Sequence, residues 1–224
     1  MCSSDLEIQT SSIPGEYIVP YLMAQFKQTY PQVKFYLEQS DSVTVMKNLL
    51  EHKGELGFTG TRAENSLAYL PLMKDEAVLI TPANGKFKAL EGKKLKLQDF
   101  IEEPFILREQ GSGTRKEFDD KIEKLGYNPN KLNIVARMNS MESIKHAVAG
   151  GLGVSIVSKI AVKRQLGMDS FMTFSIEGFH LDREFYLTYN KNVTLSPRAE
   201  AFKEFVLEWF RSDELKEPPR MQYI

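Results

Sequence analysis

The chain is poor in several things at once, and each shortage removes a class of function. It has one cysteine, Cys2, so no disulfide can close within it. A reducing, cytoplasmic setting is the default for such a chain. No stretch of about 18 consecutive apolar residues occurs, so no membrane-spanning helix is expected and no membrane partner is implied. Met1–Asp5 carries neither a basic nor an apolar run, so a signal peptide is not expected. No lipobox precedes Cys2, so a lipid anchor is not expected either. An excess of one charge is also missing: 29 Lys+Arg stand against 30 Asp+Glu, a formal net charge of -1. A domain that grips nucleic acid by itself usually shows a basic excess. Sequence-specific DNA binding by this chain alone is therefore not expected.

Catalytic material is scarce as well. The histidines are His52, His146 and His180, and none has metal-ligand spacing. His52 and His146 read as helix-surface residues. No nucleophile elbow, phosphate loop or zinc-protease signature occurs. The carboxylates are interleaved with lysines and read as solvated faces. The glycine-rich Gly150-Gly151-Leu152-Gly153 lies at the end of a helical run. It suits a tight turn into a strand better than a phosphate cradle. No enzyme, metal or cofactor is expected.

What is present is an ordinary globular composition, 42% hydrophobic and 26% charged. Strand-like and helix-like stretches alternate, which is the pattern of α/β folds. Leu6–Thr10, Val33–Leu37, Leu56–Thr59, Ala77–Thr81, Phe105–Leu107, Ile134–Ala136, Val154–Val157, Phe171–Ile176 and Phe185–Tyr189 read as strands. A helix is expected from Pro14 to Tyr30, stopped by Pro31, with Val19, Leu22, Met23, Phe26 and Tyr30 at helical spacing. A second carries Met46, Leu49 and Leu50. A third carries Phe118, Ile122 and Leu125, with Gly126 past its end. Asn139 and Glu142 have capping-box spacing at the start of a fourth. A last helix begins near Pro197, with Ala199, Phe202, Val206 and Trp209 inward. The lysine- and glycine-rich stretch from Ala83 to Asp99 reads as an exposed loop at a lobe boundary. The charged tail after Ser212, with Pro218-Pro219, reads as loose.

One feature recurs. Strands empty into helices that open with small polar residues: Ser11-Ser12, Ser40-Asp41-Ser42, Ser112-Gly113-Thr114 and Asn139-Ser140. Open α/β sheets bind ligands outside the carboxyl ends of their strands. A helix N-terminus offers free N–H groups and a partial positive charge, which suits an anion. If these openings face one cleft, they form a neutral cradle for a small oxyanion. The plainer reading is that each such residue simply caps its helix. Asp41 is expected to cap, since a carboxylate in the cleft would repel an anion. Arg115 follows in the first helical turn, where the helix dipole disfavours a cation. A bound anion, Glu109 or Glu117 would relieve it equally well.

Taken in order, several segments resemble the effector-binding domain of LysR-type transcriptional regulators. They are Leu6–Pro20 (LEIQTSSIPGEYIVP), Phe26–Val33 (FKQTYPQV), Leu56–Thr59 (LGFT) and Phe105–Arg115 (FILREQGSGTR). Ser140–Ser158 (SMESIKHAVAGGLGVSIVS) and Phe185–Phe202 (FYLTYNKNVTLSPRAEAF) complete the match. FILREQGSGTR is most similar to the branch linked to sulfur assimilation. The resemblance implies two Rossmann-like lobes of the type 2 periplasmic-binding-protein fold, joined by two crossing strands. The first lobe would be Met1–Ile80 plus Thr188–Ile224, the second Thr81–Leu187. Effector contacts would fall on Thr10, Ser11, Ser12, Thr59, Ser112, Gly113, Thr114, Asn139 and Ser140. The helix Pro14–Tyr30 and strand Val33–Leu37 would form a homodimer interface, with a tetramer in a full-length regulator.

The implied function is an effector sensor for a small oxyanion or small organic acid, such as sulfate, sulfite or O-acetylserine. DNA would be reached only through an N-terminal winged helix-turn-helix absent from this sequence. The alternative is a transport-type solute-binding protein for a small oxyanion. A third class, a dehydratase on the same fold, lacks an acid–base pair.

Overall fold

The computed structural model describes residues 5–163, 170–178 and 182–212. Cys2, His180 and the charged tail with Pro218-Pro219 lie outside the described residues. The elements begin with β1 (Asp5–Ser11), α1 (Ser12–Tyr17), α2 (Val19–Thr29), β2 (Lys34–Ser40), α3 (Ser42–Leu50), β3 (Leu56–Thr59) and β4 (Leu67–Pro82). They continue with α4 (Gly85–Lys88), β5 (Phe105–Arg108), α5 (Gly113–Lys124), β6 (Ile134–Met138) and α6 (Met141–Ala149). The remainder is β7 (Ser155–Ser158), α7 (Lys159–Val162), β8 (Phe171–Phe174), β9 (Asp182–Asn190) and α8 (Pro197–Arg211). The chain divides into two compact units, Met1–Lys74 with Glu184–Ile224, and Asp75–Arg183. It passes between them twice, inside β4 and inside β9.

In the first unit β1 runs parallel to both β2 and β3, and β9 joins β3 antiparallel. The register places Ser11 beside Ser40 and Thr10 beside Phe58. Leu6 and Ile8 are fully buried. Phe26 of α2 meets Phe202 and Phe205 of α8 edge-on, and Val45 and Leu49 of α3 pack near β3. Gly57 permits that approach, because a Cβ there would stand 2.7 Å from Leu49 Cδ1. The single helix expected over Pro14–Tyr30 is two, broken at Ile18. Pro20 explains the break: it has no N–H to continue the ladder and constrains the residue before it.

In the second unit the latter half of β4 pairs antiparallel with β7 and β8. β5 runs parallel to β6 and is bridged to the residue preceding β7 through Phe105 and Val154. Phe87, Phe100, Phe105, Phe118, Ile122 and Phe174 fill the core. Gly151, at φ +83, makes the turn into β7, and a Cβ at Gly153 would meet Pro104 O at 2.3 Å. Only glycine fits both demands.

Several expectations change here. The stretch Ala83–Asp99 is largely exposed, as expected, but it is not the lobe boundary. It belongs to the second unit and buries Phe87, Leu95 and Leu97 in the core. Apolar residues spaced through a lysine-rich segment anchor it. The chain instead crosses between Lys74 and Asp75, inside a β4 that starts at Leu67. Leu125 is 48% exposed, past the end of α5, where Gly126 takes φ +87 and ends the helix. His52 lies beyond the end of α3 at φ 60, exposed, while His146 is exposed on α6. Among the described residues, no helix is long and apolar enough to cross a membrane.

Candidate functional site

Each unit has a polar rim at the carboxyl ends of its parallel strands. In the first unit Ser11 and Ser12 follow β1, Ser42 follows β2, and Thr59 ends β3. All four are buried, as is Thr10. Gly15 lets α1 settle on this edge, since a Cβ there would lie 2.6 Å from Thr10 Cγ2. Thr10 donates its hydroxyl proton to the Ser11 carbonyl at 3.0 Å, and Thr59 donates to the Thr61 carbonyl at 2.8 Å.

In the second unit Ser112, Gly113 and Thr114 follow β5, and Asn139 and Ser140 follow β6. Arg108 pairs with Met138 across the two strands, so both openings share one edge. Ser112 and Thr114 are buried, Ser140 is half-buried and Asn139 is exposed.

The helix openings separate into two kinds. Asp41 accepts from the N–H groups of Val43 and Thr44 and caps α3, as expected. Burial works against its charged form, but the hydrogen bonds from Thr44 and Val43 outweigh that and hold the carboxyl below its ordinary range. At α6 the cap is Ser140, which accepts from Ser143 N at 3.3 Å, and not Asn139. The capping-box spacing was one residue out of register, and Glu142 pairs with Lys145 instead. Ser11 and Ser112 behave differently. Each occupies the cap position with an extended backbone, and neither side chain makes a cap hydrogen bond. Serine is favoured at such positions because it caps. Here two buried serines, one in each unit, do not.

The charges near the second rim are paired within it. Arg108 is buried and holds Glu109 in a two-pronged pair of 2.8 and 2.7 Å. Arg115 pairs with Asp119 at 3.3 Å and reaches the Arg108 carbonyl, so a carboxylate one helical turn on stands beside it. Burial pushes the Asp119 carboxyl up, despite the pull of Arg115 beside it.

Behind Thr114 lies a group that the sequence did not disclose. Arg183 donates to the Thr114 hydroxyl. The same guanidinium grips Asp75 through Nε at 2.8 Å and Nη2 at 2.7 Å, and the Asp75 side chain is 0% exposed. Ser158, at the end of β7, donates to Asp75 Oδ1 at 3.0 Å. No local signal could have paired Asp75 with Arg183, which are 108 residues apart. They are the first and last residues of the second unit. The described rims thus offer hydroxyls and backbone N–H groups, which is equipment for holding an acceptor-rich group.

Residues 3–211 match the model of the LysR substrate binding domain. The chain belongs to that family. It is 31% identical over 201 residues to an HTH-type transcriptional regulator of Methanocaldococcus jannaschii, covering 90% of this chain and 67% of the relative. It is 30% identical over 193 residues to the HTH-type transcriptional activator CmpR of Synechocystis, covering 86% of this chain and 62% of that protein. This LysR substrate-binding domain therefore spans about two thirds of the length of those relatives. Its fold matches that of the Synechocystis CcmR regulatory domain in complex with 2-PG, with a TM-score of 0.83 at 22% identity, over 93% of this chain and 98% of that one. The mixed α/β architecture is thus the type 2 periplasmic-binding-protein fold expected from the resemblance.

Proposed function

We propose that this domain is the effector sensor of a cytoplasmic LysR-type transcriptional regulator and that its effector is a small anion, an oxyanion or a small organic acid. The observation that carries this reading is the pair of buried cap-position serines, Ser11 and Ser112, whose side chains leave their helices uncapped. A helix N-terminus with a spare hydroxyl beside it favours an anionic oxygen. Thr10, Ser12 and Thr59 in the first unit, and Gly113, Thr114, Asn139 and Ser140 in the second, are the proposed companions. Their hydroxyls and backbone N–H groups would bind the anion through hydrogen bonds.

The names of the relatives favour regulation over solute transport. DNA would be read by a separate helix-turn-helix domain, with the effector acting through its differential affinity for two states. The domain would associate as a homodimer through α2 and β2. β2 is an edge strand that exposes Tyr36 and leaves Phe35 and Leu37 half-buried. Such an edge needs cover. Sedimentation showing monomer alone at high concentration would remove the dimer from this reading.

The decisive experiment is a melting series with inorganic sulfate, sulfite, O-acetylserine and 2-phosphoglycolate. A ligand at a hundredfold excess over Kd stabilises the folded state by about 2.7 kcal/mol. At least one of the four should raise Tm, and added salt should weaken the effect. No shift with any of them would sink the reading.

A further inference from the structure

We propose that Arg183, clamped by Asp75, is a positioning residue that fixes the Thr114 hydroxyl as a pure hydrogen-bond donor toward the effector, so that the second rim selects groups that accept there, deprotonated oxygens above all. This rests on the effector-sensing reading above and deepens it.

A guanidinium carries five N–H donors and no acceptor. Its Nη1 group meets Thr114 Oγ1, so Thr114 is the acceptor in that pair. A threonine hydroxyl has one proton to give. Among the described residues no acceptor takes it. The proton is therefore left for an external partner. Without Arg183 the hydroxyl would be free to rotate and would serve acceptors and donors alike.

The clamp makes this polarity stable. Asp75 holds Nε and Nη2 of the guanidinium, which leaves Nη1 for Thr114. Ser158 is fully committed behind it: its proton goes to Asp75, and its oxygen accepts from Ile160 N at 3.1 Å. The chain of donors runs Ser158 to Asp75, and Arg183 to both Asp75 and Thr114. All four residues are buried, so water does not compete for these bonds. The ion pair keeps the arginine's charge balanced, so the guanidinium acts through Thr114 rather than as a free cation. A site built from fixed donors rejects a ligand that lacks the matching acceptor far more strongly than an apolar pocket would.

The test is a thermodynamic cycle on the full chain, titrated calorimetrically with inorganic sulfate and with 2-phosphoglycolate. Four proteins are compared: the parent, Thr114→Val, the neutral double variant Asp75→Leu/Arg183→Met, and the triple variant. Replacing both charges avoids an orphaned buried ion, so the apo fold should survive. With Thr114 in place, the double substitution should weaken anion binding about tenfold or more, the worth of a hydrogen bond to a charged group. In the Thr114→Val background it should change affinity less than about twofold, since coupled residues are not additive. Equal losses in both backgrounds, or no loss in either, would overturn the inference while leaving the sensor reading intact. A parent chain that binds neither anion would overturn this inference, and if the full melting series is also flat it would overturn the sensor reading itself. Should the double variant fail to fold, Arg183→Lys replaces it. Lysine keeps the charge but lacks the planar fork that spans Asp75 and Thr114. It should reproduce the loss, again only where Thr114 is present.

Discussion

At the carboxyl edge of the first unit, Thr10 and Thr59 give their protons to nearby backbone carbonyls, and the one rim carboxylate, Asp41, caps a helix. At the corresponding edge of the second unit, Thr114 is backed by the Asp75–Arg183 pair, with Arg108–Glu109 and Arg115–Asp119 close in sequence. The first rim is organised by bonds between residues close in sequence. The second is organised by charges recruited from the ends of the unit. Both can offer a neutral face to an anion, but they fail differently. Damage to the first rim should stay local, whereas damage to the second should reach the fold.

The largest contrast is expected at Asp75. Asp75→Leu strands the Arg183 guanidinium, which is 4% exposed, without its carboxylate. Breaking a buried pair from one side typically costs about 3–5 kcal/mol, while replacing both partners with apolar groups is often close to neutral. Urea unfolding should show that loss for Asp75→Leu and recovery of most of it in Asp75→Leu/Arg183→Met. Equal stability of the parent and the single variant would mean that the second rim does not depend on the pair.

Next in size is a backbone contrast. Gly153→Ala drives a Cβ to 2.3 Å from the Pro104 carbonyl oxygen, and backbone cannot step aside. Overpacking of this kind costs about 1–3 kcal/mol, sometimes more. Gly57→Ala in the first unit meets Leu49 Cδ1 at 2.7 Å, a side-chain tip that can turn. Its loss, read by the same denaturation curves, should be the smaller of the two. A reversed order would show that the first unit is the more tightly packed.

How much of this was legible in the sequence depends on distance along the chain. β3 was expected at Leu56–Thr59 and is found there, because a short apolar run between turn signals is a local fact. The opening of α5 after β5 was legible for the same reason. Asp41 was expected to cap because a carboxylate in the cleft would repel an anion, and it does cap α3. The first half of β4 was not legible, since Pro71, Lys74 and Asp75 interrupt its apolar pattern and its partner strand lies more than a hundred residues away. Nor could the sequence separate Ser140, which caps, from Ser112, which does not. Both are serines before a helix, and only three-dimensional placement decides where the hydroxyl points. The Asp75–Arg183 pair is the extreme case: two ordinary charged residues with no local motif, made into one unit by the fold.

Asp41 provides a smaller test of the first rim. Removing a side-chain cap costs about 1 kcal/mol, so Asp41→Ala should lose about that much at neutral pH. The sign with pH follows from the lowered carboxyl. A group whose pKa is lower folded than unfolded stabilises above its unfolded value, about 3.9 for aspartate, and loses that contribution as pH falls through the folded value. The gap between parent and Asp41→Ala should therefore narrow below about pH 4. A gap independent of pH would mean that the ionised cap is not what stabilises α3.

The smallest effect on stability, and the one that most sharpens the comparison, belongs to the two serines. A serine that caps its helix loses about 0.5–2 kcal/mol on replacement by alanine. Ser140 makes such a bond, and Ser11 and Ser112 do not. Ser140→Ala should therefore lower apo stability measurably. Ser11→Ala and Ser112→Ala should each change it by less than about 0.5 kcal/mol, the range of substitutions that break no specific feature. Their effect should instead appear when an anion binds, as a reduced Tm shift for whichever ligand stabilises the parent. If Ser11→Ala loses as much stability as Ser140→Ala and keeps its full ligand shift, Ser11 is a cap after all. The first rim would then be purely structural, and the burden of anion recognition would fall on the second unit alone. If Ser112→Ala behaves that way while Ser11→Ala does not, the assignment moves to the first unit. The two variants together decide which rim holds the ligand.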